Sequence, residues 1–488
     1  MHGTSFARAS ARAAAPLLAV MAIALQASCD AFQPTDVVNP NVTDQQYLGT
    51  PGSGATWLRG TQRQFLVTLN TVVLNSEIAS DNYFNNYTTN NQRFDAPDIT
   101  FLDPEVTSIQ NSIARLRNVA TFGLDTVFPR DTLVTANDRA ESFFLRGMAN
   151  LFAGESYVAL PATSNGEVVG WESHLQAAIA DFTQARTLST DAAARNGYTL
   201  ALARAYHRLG DKAKAVTEAT ALLAASPTFI RNATFDGVNG PNNGMQGVLT
   251  AAVNNLQPLP RLDFLDPKYP NRGANNQSPM AFLKAEEAHM ILAEALLADG
   301  SLPAAKTRLQ QLLTLVSSRA TELVDSRLQL RGRAGGKIVY PNASDIQVAF
   351  APGEPLRAGL VLTRSAGNVR VPIVSGTSVT AARIDAITTV DDGLYVLYLM
   401  RQEIFLAEGR RMADLGIRLP VARTEVLANP NAVEGEAYTE SQVPSFIPDE
   451  FEMDAFTYDA AAKTAIITHD MNRVLVQNKT SPFVIPFH

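Results

Sequence analysis

The stretch "AARNGYTLALARAYHRLGDKAKAVTEATALLAASP", residues 193–227, decides the class of fold. Small and apolar residues recur three and four places apart on both sides of Gly210-Asp211. That is the period of a helix that buries one face. Gly210-Asp211 supplies a turn, and Pro227 stops the second helix. Ala201, Ala205, Ala215 and Ala219 are small enough to let two antiparallel helices approach closely.

Working outward, these alanines with Tyr206, Leu209, Gly210 and Pro227 fall where a tetratricopeptide repeat wants them. A second pair reads from "FLKAEEAHMILAEALLADGSLPAAKTRLQQLLTLV" (282–316). There Ala288, Ile291, Leu292, Ala295 and Leu296 share a face, and Asp299-Gly300 makes the turn. Two more degenerate pairs are expected, over 138–188 and near 394–415. One such pair cannot bury its own face, so the pairs must stack. Single helices are expected over 57–79, 106–122, 138–157 and 171–188, with a long loop over 80–105. Residues 227–280 are rich in Asn, Gly and Pro and read as irregular. In 330–384, "KIVY", "GLVLT" and "VRVPIV" read as short strands or hairpins. The chain reads as irregular again after 416. The expected fold is mainly α, with stacked tetratricopeptide-like helix pairs and a loop-rich, partly β-hairpin remainder.

Composition sets limits on function. The 488 residues carry 40 Lys and Arg against 47 Asp and Glu, a formal net charge of −7. That balance argues against a general nucleic-acid binder, which shows a basic face. The single cysteine, Cys29, closes "MAIALQASC". Upstream lie Arg8, Arg12 and an apolar run from Ala13 to Leu25, shorter than the ~20 residues that span a bilayer. A basic start, a short apolar run and small residues before a lone cysteine resemble the lipobox of a bacterial lipoprotein. Residues 1–28 are then a signal peptide, Cys29 carries the lipid, and 29–56 is a tether rich in Asn, Pro, Thr and Gly. The body runs from 57 to 488. Its helical core lies at about 106–226, 281–325 and 394–416, with insertions at about 227–280 and 330–384.

Four places then resemble the SusD/RagB family of outer-membrane nutrient-binding lipoproteins. They are "CDAFQPTDVVNPNVTDQQYL" (29–48), "RAESFFLRGMANLFAGESYVALP" (139–161), "FLKAEEAHMILAEALLADGSLPAA" (282–305) and "YLMRQEIFLAEGRRMADLG" (398–416). The last is the most specific. The family's Gly-Asp before the Leu-Pro exit is replaced by "ESYVALP", so this is a divergent member. The resemblance implies a SusD-like α/α superhelix at the cell surface. It also implies an outer-membrane lipid anchor and an oligomeric glycan or peptide ligand. That ligand would be handed to a SusC-type TonB-dependent transporter, by binding and without bond-making or cofactor. Two rivals are a tetratricopeptide scaffold for protein partners, whose long helical array the 227–280 and 330–384 segments are expected to interrupt, and an α-helical glycosidase.

Within 398–416, Arg401, Glu408 and Arg411 share a stripe if the whole segment is one helix, and are expected to pair as structural ions. Glu403 and Glu408 would point about 140° apart and cannot flank one glycosidic bond. No histidine pair has helical metal-ligand spacing, and no nucleophile or phosphate-loop motif occurs. The acidic run "PDEFEMDAFTYD" (448–459) clusters carboxylates of the kind that hold calcium but lacks the central Gly of a calcium loop; it reads as a solvated loop, with a calcium site as the alternative. The best ligand candidates lie in "SEIASDNYFNNYTTNNQRFD" (76–95): Asp81, Asn82, Tyr83, Phe84, Asn86, Tyr87 and Arg93. Aromatic faces there would pack on a sugar ring or peptide side chain, and carboxamides would meet hydroxyls or peptide groups. Trp57 and Trp171 are the only tryptophans, sparse for a dedicated glycan platform.

Overall fold

A computed structural model describes residues 48–85, 92–250, 256–328, 339–365, 367–484 and 487. Cys29, Asn86 and Tyr87 lie outside them.

Nine long helices carry the fold among the described residues. They are α1 (Ser53–Ile78), α2 (Pro104–Phe122), α3 (Ala136–Ser156), α4 (Trp171–Leu188), α5 (Ala192–Arg208), α6 (Lys212–Ala225), α7 (Ala285–Ala298), α8 (Leu302–Ser317) and α9 (Val390–Ile404). The pairs read over 138–188, 193–227 and 282–316 are present; the one expected near 394–415 is not, because only α9 is a long helix there and a four-residue helix, Arg411–Asp414, follows it. Asp191 caps α5 through its carboxylate, and Asp211 caps α6 on the Lys214 N–H. Gly210 takes φ 76° in the turn between them, a left-handed conformation that costs glycine little. Thr135 and Asp138 form a reciprocal capping box at the start of α3.

The helices stack in chain order, α1 on α2, α2 on α3, and so on through α8, with α9 on α7 and α8. The stack is not interrupted at 227–280, because α6 packs directly on α7. The intervening residues loop out and return, correcting the expectation that this segment breaks an array. They are also less irregular than their composition suggests. Short strands β4 (Ile230–Ala233) and β6 (Met280–Lys284) pair antiparallel, as do β1 (Tyr83–Asn85) with β5 (Leu256–Pro258) and β2 (Ala159–Pro161) with β3 (Val168–Gly170).

Further corrections concern the β remainder. "VRVPIV" does supply a strand, β9 (Asn368–Pro372), paired antiparallel with β7 (Thr321–Asp325). "GLVLT" forms no strand, nor do Val339 and Tyr340 of "KIVY", whose Lys337 and Ile338 lie outside the described residues. The hairpin β10 (Phe456–Asp459) and β11 (Thr464–Ile467) appears in a region read as irregular, and β8 (Gln347–Ala349) adds parallel to it. These strands are too short for a period-2 pattern to be distinctive.

The core follows the stack and extends under the strands. Phe65, Phe144, Phe152 and Phe282 meet between α1, α3 and β6, and Phe84, Tyr340 and Phe456 form a second aromatic cluster under β1 and β10. No described helix is long and apolar enough to cross a membrane.

Candidate functional site

The segment 398–416 is not one helix. α9 ends at Ile404, a turn follows in which Ala407 and Gly409 have φ 60° and 69°, and a short helix resumes at Arg411–Asp414. A Cβ on Gly409 would lie 2.9 Å from the Cα of Val73 in α1, so the glycine permits both the left-handed turn and the close approach. Breaking the helix moves Glu408 off the stripe of Arg401 and Arg411. The expected pairing among those three is therefore corrected.

Each finds a different partner. Arg401 donates to Asp414 at 2.7 and 3.0 Å. Arg411 grips Asp81 through Nε at 2.5 Å and Nη2 at 3.0 Å, and Arg261 adds a third contact at 3.3 Å. Glu408 accepts from Lys268 and from Lys284, the latter at 2.5 Å. Arg208 joins Glu155 of α3 to Asp414, at 3.3 and 2.7 Å. All of these side chains are buried. Burial alone would push the carboxyl of Asp81 up, but the charge and hydrogen bonds of Arg411, with Arg261, hold it below its ordinary value. Burial pushes Glu77, which accepts from Asn82 and the Gly409 N–H, up to about 7. Burial also pulls Lys268 down to about 8, against the pull of Glu408.

This network decides four of the expected ligand residues. Asp81 is the counter-ion of Arg411. Asn82 donates to Glu77 at 2.7 Å and accepts from Gln402 at 3.0 Å. Tyr83 reaches Asp266 at 3.2 Å, and Phe84 packs in the second aromatic cluster. All four are at most 3% exposed. They are core, which corrects the expectation that they face a ligand. Alternation along a three-residue strand cannot reveal that both its faces are covered.

Arg93 is different. Its side chain is 56% exposed, 3.6 Å from both Asp98 and Asp103. It stands on the short helix Gln92–Asp95, one wall of an open cleft of about 1010 Å³. Residues 96–100 continue this wall, and 440–451 form the other. An antiparallel bridge between Thr100 and Glu440 ties the walls at one end. Asp103 fixes the Thr100 corner, accepting from its N–H at 2.6 Å and its hydroxyl at 3.0 Å. Phe451 projects from the rim at 46% exposure, next to Glu450, whose φ of 53° is left-handed. The lining carries one guanidinium, Arg93, against the carboxylates of Asp98, Glu440, Asp449 and Glu450.

The fold that carries this cleft matches solved structures. A SusD superfamily protein from Bacteroides fragilis superposes with a TM-score of 0.52 at 14% identity, over 79% of this chain and 99% of its own. Another, from Parabacteroides distasonis, gives 0.51 at 11% identity, over 78% and 97%. The chain has the SusD-like fold. No family model matches the sequence, and no curated protein matches it either. The likeness is one of SusD-like fold, at 11–14% identity.

The wall 440–448 was missing from the sequence reading. "ESQVPSFIP" has no helical or strand period, and only its prolines and the acidic run after it marked it as surface. That acidic run is not uniformly solvated either. Asp454 is buried, and burial with the nearby charges of Asp95 and Asp81 pushes its carboxyl well up. Among the described residues no group of three or more His, Cys, Asp or Glu could hold a metal ion. Neither tryptophan lines the cleft.

Proposed function

We propose that this chain is a surface lipoprotein that captures an oligomeric nutrient, glycan or peptide, in the 92–100/440–451 cleft. It then delivers the ligand to a SusC-type TonB-dependent transporter of the outer membrane. The observation that carries the reading is the open cleft itself, large enough for several units of an oligomer, on a SusD-like fold. Its excess of carboxylates favours a neutral or basic ligand over an acidic one. Phe451 offers an apolar face and Arg93 a fork of donors. Asn86 and Tyr87 lie in the chain between Asn85 and the cleft-lining Gln92 and are proposed as further contacts. Lipid on Cys29 is the proposed anchor, with residues 1–28 removed.

Binding without bond-making is supported by the fate of the acidic side chains of the motif. Glu403 accepts from Thr377 and Ser378 at 2.5–2.8 Å, and Glu408 is held by two lysines, both in the interior. The protein-scaffold alternative gains from the unbroken helix stack. Against it, α7 is buried almost all round and offers no free face to a partner.

The test is calorimetric titration of the full chain with neutral oligosaccharides, neutral peptides and their acidic counterparts. Saturable binding of a neutral oligomer, lost in Phe451→Ala with an unchanged melting temperature, supports the reading. Equal binding by that variant removes the cleft from it.

A further inference from the structure

Arg418, partly buried beside the network, differs from the buried arginines within it. Arg204, Arg208, Arg401, Arg410 and Arg411 each meet a carboxylate. Arg418 meets none among the described residues, and its Nε is buried without a hydrogen-bond partner. Its guanidinium lies 4.2 Å from the ring centroid of Trp171, stacked on the indole. Its backbone is fixed by reciprocal 2.9 Å hydrogen bonds with Gln442, and the next residue, Leu419, donates to Ser156 at 2.7 Å. The fixed backbone and the stacking on Trp171 hold the side chain in place with no carboxylate in ion-pair contact among the described residues; burial and the like charge of Arg208 pull it down to about 10, against the opposite charges of Glu172 and Glu155 nearby.

Arg418 lines a cavity of about 340 Å³ between α4, the end of α5 and the segment 480–484, which shares no lining residue with the cleft. Arg208 and Glu155 in the lining are already paired with each other at 3.3 Å, which leaves Arg418 as the lining cation without an ion pair among the described residues. Trp171 and Phe483 supply apolar surface. We propose that this cavity is a second binding site, which takes a small organic carboxylate as a monoanion on Arg418. A planar carboxylate matches the free fork of a guanidinium already stacked on one face. A monoanion matches the one cation that makes no ion pair, whereas a phosphate dianion brings a second negative charge toward Glu155 and the nearby Glu172. The apolar wall selects an acid with an organic body. This proposal stands apart from the cleft and from its oligomer.

The experiment titrates the full chain with galacturonate, benzoate, neutral galactose and inorganic phosphate at fixed ionic strength, by calorimetry and by indole fluorescence. Trp57→Phe leaves Trp171 as the only reporter. Expected is saturable binding of galacturonate or benzoate with a change in Trp171 emission, no response to galactose, and weaker response to phosphate. Arg418→Met should weaken the carboxylate at least tenfold. Arg418→Lys keeps the charge but loses the fork, and should weaken it severalfold; it decides the matter if the Met variant does not fold. The proposal is overturned if neither acid saturates, if phosphate binds as tightly as the acids, or if the folded Arg418 variant binds as the parent does.

Discussion

At the scale of single residues, the buried charges decide stability. Glu408 holds two lysine ammonium groups, so Glu408→Ala strands both in the interior. Breaking a buried pair in this way costs on the order of 3–5 kcal/mol. The variant should show a correspondingly lower urea midpoint, and unchanged stability would mean that the lysines find other acceptors. Glu77 gives the pH dependence. Its folded pKa of about 7 lies above the ordinary 4.5, so the folded state binds the extra proton. Its contribution is fully present below pH 4.5 and is lost as the pH rises through 7. The shift corresponds to about 3 kcal/mol. Lys268 has the opposite sign. Its depressed value means a contribution present above pH 10.5 and lost as the pH falls through about 8. Glu77→Gln should therefore flatten the stability profile between pH 4.5 and 7, read by urea denaturation across that range. A slope identical to the parent's would show that Glu77 is not the titrating group.

At the scale of elements, Gly409 is where the motif's helix gives way to a turn. A side chain there meets the backbone of Val73 and must hold φ near 69°. Gly409→Ala should destabilise the fold by about 1–3 kcal/mol. Thermal unfolding against the parent checks it, and an unchanged midpoint would mean that α1 can move away. This turn also shows how far a sequence can be read. The helices over 171–188 and 193–225 were legible because small and apolar residues repeat at helical spacing beside cap and turn residues. The break after Ile404 was not, because nothing local forbids helix through "EIFLAEG"; the turn is held by Glu77, Lys268 and Tyr269 from far along the chain. The same holds for Asp81–Arg411, whose partners are 330 residues apart. Arg93 was legible as a ligand candidate because it stands in a polar, aperiodic segment. Tyr83 was misread because a three-residue strand buried on both faces leaves no alternation.

At the scale of the whole molecule, core and cleft should separate in experiment. Tyr83→Ala and Asp81→Ala should lower the melting temperature. Arg93→Ala and Phe451→Ala should leave it unchanged and weaken oligomer binding, by roughly 1–3 kcal/mol for the aromatic. Circular dichroism and calorimetry on the same samples distinguish the two classes, and a folded Tyr83→Ala with lost binding would return that residue to the ligand face.

Capture at the membrane beside a transporter is the step on which the proposed function turns. Its most direct test is to recover the tagged full chain from its own detergent-solubilised membranes, beside Cys29→Ser. The parent should be membrane-bound, carry a mass increment on Cys29, and co-purify with a TonB-dependent β-barrel. The Cys29→Ser chain should leave the membrane fraction. A parent chain recovered without lipid and without any barrel partner would contradict it.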